Sequence, residues 1–360
     1  MVQQDARKLV EEVIRIGKCT GCGICLGRCP YFQTIQERVA MVYSCDHEDA
    51  VCYYSCPRTE TELEKLDYFT FGIPRNNHEL GQHLDIFQAR AMKSEIEDVV
   101  QYSGVVTALM QFALREGVIS SGIMTAGISP MPRPFIARSP EDVREAAGSK
   151  YSAVPTLQAL NEAAGEDMDA IGVVGRPCQI LAVRKMQLLA QEKKSDLAAR
   201  RVSLSIGLFC FWAFSPDFYS WLNQKTGGEN IVKLDIPPGK LEVRTTEKIY
   251  SFDLDDVRPF IKQSCEDCFD STSEFADVSV GAVEGNPRWN TLIVRTSQGL
   301  DFVRRAEKEG ILELKSCEAS ELERLRDAAA SKKFRVLTGK GADYLHLSAA
   351  YRNAVLKGGS

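Results

Sequence analysis

Apolar residues recur at helical spacing between 95 and 115, at Val99, Val106, Leu109, Met110, Ala113 and Leu114, and the run stops at Gly117, a residue type that readily takes the left-handed turn after a helix. The spacing predicts one helix over 95–115. Three short apolar runs, 118–124, 170–174 and 202–210, are bounded by glycine or polar residues and followed by loop or helical pattern, so they read as buried strands of an α/β core. Farther on, 241–254, 278–285 and 291–295 alternate as antiparallel strands do, and 320–333 reads as a charged surface helix. The polar stretch 59–83, with Gly72, Pro74, Asn76 and Asn77, reads as a connection over the surface. The fold class expected is α/β with mixed α+β character. The organisation is a front unit at 1–60, a connecting segment at 61–94, a larger domain at 95–335 and a C-terminal extension at 336–360.

Composition narrows the function more than the fold. With 44% hydrophobic and 26% charged residues, a chain of 360 residues is ordinary for a globular protein. The formal net charge of −5 argues against a nucleic-acid partner, whose phosphates need a surplus of lysine and arginine. The longest strongly apolar stretch, 202–214, contains Ser203 and Ser205 and falls short of the roughly 20 residues that cross a bilayer, so no membrane span is expected. Residues 1–18 mix charge with apolar positions and lack the pattern of a secretory signal, which makes the cytoplasm the expected location. In that reducing compartment 12 cysteines are better explained by metal ligation than by disulfides.

Cys19, Cys22, Cys25 and Cys29, followed by Pro30, follow C-x2-C-x2-C-x3-C-P, the bacterial ferredoxin run in which three cysteines hold one iron–sulfur cluster and the fourth serves another. Zinc usually takes two separated C-x2-C pairs instead. Gly21 and Gly23 permit the tight loop, and Pro30 turns the chain away. Cys45, Cys52 and Cys56, with Pro57 after the last, form an incomplete partner run. Cys19, Cys22, Cys25 and Cys56 are then expected to hold one [4Fe-4S] cluster. Cys29, Cys45 and Cys52 would hold a second, whose fourth ligand is open between His47, Asp49, a distant group and a three-iron cluster that needs none; His47 and Asp49 read equally well as solvated loop residues. Cys178, Cys210, Cys265 and Cys268 lie far apart, and spacing alone leaves them between a third cluster and small buried side chains. Cys317 reads as an ordinary thiol.

Beyond the cysteines, five motifs occur in a familiar order: Ser103, Gly104, Val105, Val106 and Thr107 on to Leu109; Gly148, Ser149, Lys150 and Tyr151; 174–186, with Arg176, Pro177 and Cys178; Gly207 to Cys210; and Cys265 with Cys268, running on to Gly281. Over about residues 95–300 the chain resembles the beta subunits of coenzyme F420-reducing hydrogenase and of deazaflavin-dependent formate dehydrogenase. The resemblance implies an FAD-binding α/β domain that reacts with coenzyme F420 as substrate, and a [4Fe-4S] cluster on Cys178, Cys210, Cys265 and Cys268, so two to three clusters in all. A front ferredoxin-like unit also occurs in such proteins, although one expected cysteine is missing here.

Flavin accepts a hydride at once and releases electrons singly, while a cluster carries one electron, so a flavin beside clusters converts between the two currencies. The expected role is therefore an oxidoreductase electron-transfer subunit, joined to a hydrogenase, a formate dehydrogenase, a heterodisulfide-reductase-like complex or ferredoxin. Backbone N–H groups of the 103–107 turn are the first candidates for the FAD phosphates. Gly148, Ser149, Lys150 and Tyr151 are candidates for the flavin, Arg133 and Arg176 for the anionic tail of the deazaflavin, and Gln101, Tyr102 and Trp289 for the pocket wall. Surface charge is the plain alternative for Arg133 and a core role for Trp289. Two rival readings keep the fold: a reductase of a pigment such as 7-hydroxymethyl chlorophyll a, and a cluster-bearing subunit with no substrate of its own.

Overall fold

The computed structural model describes residues 5–358 except 36–37, 46, 48–49, 77–78, 93–101, 129–130, 167, 194, 196, 238, 284–285 and 340. The front unit comprises helix α1 (Ala6–Leu9), which runs into a wider helical turn, the hairpin β1 (Phe32–Ile35) and β2 (Arg38–Met41), and the short helix α2 (Val51–Tyr54). Ala6, Leu9, Val13, Leu26, Phe32 and Tyr53 close a small core around Cys25, Cys45 and Cys56.

The segment expected to be a surface connection is built into the body. It holds β3 (Thr61–Glu62), α3 (Leu63–Phe71) and β4 (Asp85–Ala91), and Leu63 and Leu66 are buried in the main core. Its polarity misleads because its charges find partners inside. Arg75 meets Asp67 through Nε (2.5 Å) and Nη2 (3.1 Å) and Glu274 Oε2 through Nη1 (2.6 Å), while Lys333 meets the other Glu274 oxygen. All four side chains are buried.

The sequence-predicted helix over 95–115 is observed as α4 (Val105–Arg115). Residues 95–101 lie outside the described residues, and Tyr102 (φ 54°) and Gly104 (φ 73°) turn left-handed, which no helix continues through. The chain continues through β5 (Ser121–Ala126), β6 (Arg133–Ala137), α5 (Leu157–Gly165), β7 (Ile171–Gly175), α6 (Pro177–Lys193), β8 (Val202–Leu208) and α7 (Asp217–Thr226). β5 starts later than the apolar run because the N–H groups of Val118 and Ile119 turn back onto the Ala113 carbonyl (2.9 and 3.2 Å) and close α4. β9 (Ile231–Asp235), β10 (Lys240–Thr245) and β11 (Ile249–Asp253) form a separate antiparallel sheet of three strands, followed by α8 (Leu254–Val257). β12 (Val278–Ala282) and β13 (Asn290–Val294), an antiparallel pair as their alternation predicts, return to the main sheet; α9 (Ser297–Lys308), β14 (Leu312–Ser316), α10 (Ala319–Thr338), β15 (Leu345–His346) and α11 (Ala349–Gly358) complete the chain.

The main sheet is mixed, in the order β14-β4-β13-β12-β8-β7-β5-β6, with β12, β8, β7 and β5 parallel. Helices cover both faces, as a buried parallel sheet requires. One core joins Phe112 of α4 to Phe302 of α9; the other joins Leu160, Val183, Met186, Val336 and Val355 from α5, α6, α10 and α11. The 336–360 stretch is thus part of the body, with β15 pairing parallel to β3. The 320–333 helix is also more than a surface element, since Lys332 and Lys333 are buried.

Candidate functional site

The front cysteines lie on a loop that only glycine can form. Gly21, Gly23 and Gly27 hold φ of 64°, 90° and 75°, and a Cβ at Gly23 would stand 2.3 Å from the Pro155 carbonyl oxygen. The loop docks on the start of α5: Leu157 N–H donates to the Cys22 carbonyl (3.0 Å), and Asn161 Nδ2 donates to the carbonyls of Ile24 (3.0 Å) and Leu26 (2.7 Å). Burial pushes the Cys22 and Cys25 thiols up; Cys56, Cys178 and Cys19 push Cys22 further, as Cys22, Cys19, Cys56 and Cys52 do Cys25. Cys19, Cys22, Cys25 and Cys56 are therefore electrostatic neighbours. Burial, then Cys29 and Cys45, push Cys52 on α2 up to about 12, which gathers the second set. His47 is exposed with its ring 6.4 Å from Tyr31, and Asp49 lies outside the described residues.

The dispersed cysteines converge as well. Cys178 is the second residue of α6, directly after β7, and Cys210 follows the end of β8, so both sit at the carboxyl edge of neighbouring parallel strands. Cys265 ends a short helical turn, and Cys268 is three residues on. Burial raises the Cys210 thiol to about 12, with Lys332 and Arg176 opposing and Cys265 and Cys178 adding to it. Cys265 is raised by burial and by Cys268 beside it. Burial also acts on Cys268, yet Lys332 and Arg58 outweigh it and leave this thiol below its ordinary value. The Ala213 N–H points at Cys265 Sγ (3.4 Å).

Among the described residues, no three His, Cys, Asp or Glu side chains close to the separation of a single-ion site. A four-iron cube asks its thiolates to stand farther apart than one ion does. Buried, mutually repelling thiols suit a soft iron–sulfur group. So does Arg58, whose guanidinium interacts with the Cys268 thiol and whose buried Nε makes no hydrogen bond in the protein.

Sequence reasoning missed three cations around these sets, Arg58, Lys185 and Lys332. Lys185 on α6 is 7% exposed and donates to the carbonyls of Cys56 (2.7 Å), Thr59 (3.2 Å) and Glu60 (3.0 Å), with the hydroxyls of Thr59 (3.1 Å) and Thr61 (2.9 Å) also in reach. Lys332 on α10 donates to the carbonyls of Cys210 (2.8 Å) and Asp270 (2.9 Å). Arg176, expected at the deazaflavin tail, has Cys178, Cys210, Cys265 and Cys22 as electrostatic neighbours. Their only sequence signal was position: Arg58 and Arg176 each lie two residues from a cysteine.

The two loops expected at the flavin meet. Gly104 caps α4 in a left-handed turn, Val105 and Thr107 are buried and Val106 half-buried. Ser103 Oγ lies within reach of Asn290 Oδ1 (2.6 Å) and the Ala89 carbonyl (3.1 Å). Tyr151 (φ 48°) is buried enough that its phenol is pushed up, and its neighbours are Tyr102 and Asp235; Ser149 bonds to it. Two bulky residues in the left-handed region on converging loops mark a constrained site. The Lys150 ammonium donates to the carbonyls of Ala146 (2.6 Å), Ala147 (2.5 Å) and Gly148 (2.7 Å), which ties the loop below the site and leaves it no free donor. Arg133 is exposed and paired with Glu145 (2.6 Å). Trp289 is buried between Arg90 and Lys315, 4.8 and 4.4 Å from its ring. Gln101 lies outside the described residues. Cys317 is half-buried, and burial followed by Glu321 raises it to about 11.

One ribbon connects the parts. The Tyr151 carbonyl accepts from Phe214 N–H (2.7 Å) and Ala153 N–H donates to the Phe214 carbonyl (3.1 Å), four residues past Cys210; the Val154 carbonyl takes Gln179 Nε2 (3.0 Å), and Pro155 presses on Gly23.

Comparison with known proteins agrees with this geometry. Residues 86–161 match the N-terminal part, and 168–320 the C-terminal part, of the coenzyme F420 hydrogenase/dehydrogenase beta subunit family. The chain is 32% identical over 246 residues to the coenzyme F420 hydrogenase subunit beta of Methanothermobacter thermautotrophicus, covering 66% of this chain and 86% of that one. It is 31% identical over 331 residues to the coenzyme F420-dependent sulfite reductase of Methanocaldococcus jannaschii, covering 88% of this chain and half (50%) of that relative. A chain of the F420-reducing [NiFe] hydrogenase complex from Methanosarcina barkeri superposes with a TM-score of 0.67 at 30% identity, over 74% of this chain and 94% of that one. Among the described residues no helix is long and apolar enough to cross a membrane. The sheet, the ordered motifs and these matches together make the chain a member of the coenzyme F420 hydrogenase/dehydrogenase beta subunit family, an oxidoreductase family of electron transfer.

Proposed function

We propose that this chain exchanges a hydride between coenzyme F420 and an FAD held at the Tyr102 and Tyr151 loops, and passes single electrons through iron–sulfur clusters to or from a redox partner protein. The observation that carries the reading is the 148–161 ribbon, which touches the flavin loop, the Cys210 loop and the Cys22 loop in succession. FAD supplies the conversion between hydride and single electrons, and the clusters carry one electron at a time.

The protein's part is positioning. The first N–H groups of α4, beyond Gly104, are unsatisfied within the helix and face the end where phosphate would lie. Lys150 fixes the second loop by closing the carbonyls of 146–148. Cys178, Cys210, Cys265 and Cys268 form the set next to the flavin loops, Cys19, Cys22, Cys25 and Cys56 the next, and Cys29, Cys45 and Cys52 the outermost. Cys178 borders Cys22, and Cys52 borders Cys25, so the three sets make one file.

The test is to purify the chain without oxygen, load it with FAD, and mix it with reduced deazaflavin while following the coenzyme's oxidised absorbance and the bleaching of flavin and cluster bands. FAD-dependent oxidation with cluster bleaching is expected. A chain that holds FAD and clusters and leaves the deazaflavin reduced overturns the substrate assignment.

A further inference from the structure

Two tripeptides in this chain mirror one another: Cys56, Pro57, Arg58 and Arg176, Pro177, Cys178. They lie about 120 residues apart in the chain, yet the fold brings them together: Arg58, Pro177, Cys178 and Cys268 line one cavity. Arg58 is 4% exposed; its Nη1 donates to Tyr344 Oη (2.8 Å) and its Nη2 to the Ser264 carbonyl (3.0 Å). Its Nε is buried with no protein partner. Its electrostatic neighbours include Cys56 on one side and Cys268 and Cys178 on the other. Arg176 reaches the Val154 carbonyl only at 3.4 Å and neighbours Cys22 on one side and Cys178, Cys210 and Cys265 on the other.

Neither guanidinium has a carboxylate partner among the described residues, whereas the buried Arg75 a short way off has two. Burying an unpaired cation is costly unless a negative charge meets it. Thiolates, and a cluster's sulfides, are the negative charge these two positions offer. Guanidinium stays protonated throughout, so the pair is a fixed charge rather than a proton switch.

We infer that Arg58 and Arg176 are a shared pair of positioning residues, wedged between the Cys19, Cys22, Cys25, Cys56 cluster and the Cys178, Cys210, Cys265, Cys268 cluster, that raise the reduction potentials of both. The inference rests on the cluster-bearing reading above and deepens it. A cation between two clusters stabilises the added electron on either one. Its attraction acts on each cluster, so both potentials rise together while the repulsion between the two added electrons is unchanged. Reduction potentials respond to nearby charge and to hydrogen bonds on sulfur, and the unpartnered Nε of Arg58 is such a donor.

The test is a redox titration of the anaerobically purified holoprotein by electron paramagnetic resonance, with iron and acid-labile sulfide measured on each sample. Arg58→Gln and Arg176→Gln are each expected to retain iron and to lower the potentials of two clusters together, each by at least tenfold in its reduction equilibrium, about 59 mV for one electron. The third cluster should stay where it was, and Arg176→Lys should restore most of the shift. Unmoved potentials, or movement of one cluster alone, overturn the shared pair. A glutamine variant that loses iron is read through its lysine counterpart, which must keep the native potentials for the proposal to stand. Native protein without iron overturns the cluster reading itself, and this inference with it.

Discussion

Replacing Glu274 by glutamine tests whether the ion network beneath the third cysteine set clamps the chain together. Glu274 is 2% exposed, with Arg75 Nη1 2.6 Å from one oxygen and Lys333 against the other. The amide keeps the shape and leaves two buried cations facing Asp67 alone. Burial by itself raises a carboxyl, but Lys333 and Arg75 outweigh it and bring Glu274 down from 4.5 to about 2. A displacement of that size corresponds to about 3 kcal/mol, in line with the roughly 3–5 kcal/mol expected when one member of a buried pair is removed. At about 2.1 cal/mol/K per residue, 360 residues carry roughly 0.76 kcal/mol/K, so the variant should melt about 4–7 °C lower at pH 7. The sign of the pH dependence follows from the lowered value: the contribution is complete above 4.5 and disappears as pH falls through about 2. Burial first, and Glu274 with it, hold Asp67 up at about 6, so scanning calorimetry of native and variant protein should show a constant gap between pH 7 and 8, where both carboxyls are ionised. The double variant Glu274→Gln, Lys333→Met should recover part of it. A single-variant loss below 1 °C would mean that the network is not ionised in the folded protein, and the clamp argument would fall.

Lys185→Met removes the ammonium that gathers the 56–61 loop and leaves its buried carbonyls without a donor, so unfolding should become easier by roughly 1–3 kcal/mol, with less iron retained; iron content and melting temperature decide it, and native values for both would show that the loop holds without the lysine. Gly23→Ala places a Cβ 2.3 Å from the Pro155 oxygen at a φ of 90° and should cost about 2 kcal/mol or more, detectable as protease sensitivity of the front unit; native resistance refutes the close docking. Cys317→Ser should leave iron and labile sulfide unchanged, because this thiol neighbours Glu321 and Lys315 rather than another cysteine; a drop in either would give it a ligand's role.

The nearness of Cys56 to 19–29 was legible because a motif spacing is local and carries its own geometry, and the fold does make Cys19, Cys22, Cys25 and Cys56 electrostatic neighbours. The core strands were legible for a similar reason: runs such as 170–174 are apolar because both faces of β7 are covered. The polar 59–83 stretch was misread because sequence gives the identity of Asp67 and Arg75 but not their partners; Glu274 and Lys333 arrive from some 200 and 260 residues away. Lys332 and Lys333 were placed on the surface by the same rule, which holds for solitary lysines and fails where carbonyls or a carboxylate wait inside. The role expected for Arg176 at a substrate tail depended on motif alone, and its neighbours in the fold, Cys178 first and Cys22 from 154 positions earlier among them, could not be read from that motif.

The contact of Gly23 with Pro155, with the bonds from Leu157 and Asn161 on either side, has a bearing on traffic through the protein. If the chain passes electrons as proposed, a front unit held this way is a fixed jetty rather than a swinging arm: its cysteine loop is tied to the start of α5, and any mooring or casting off is left to the partner that comes alongside.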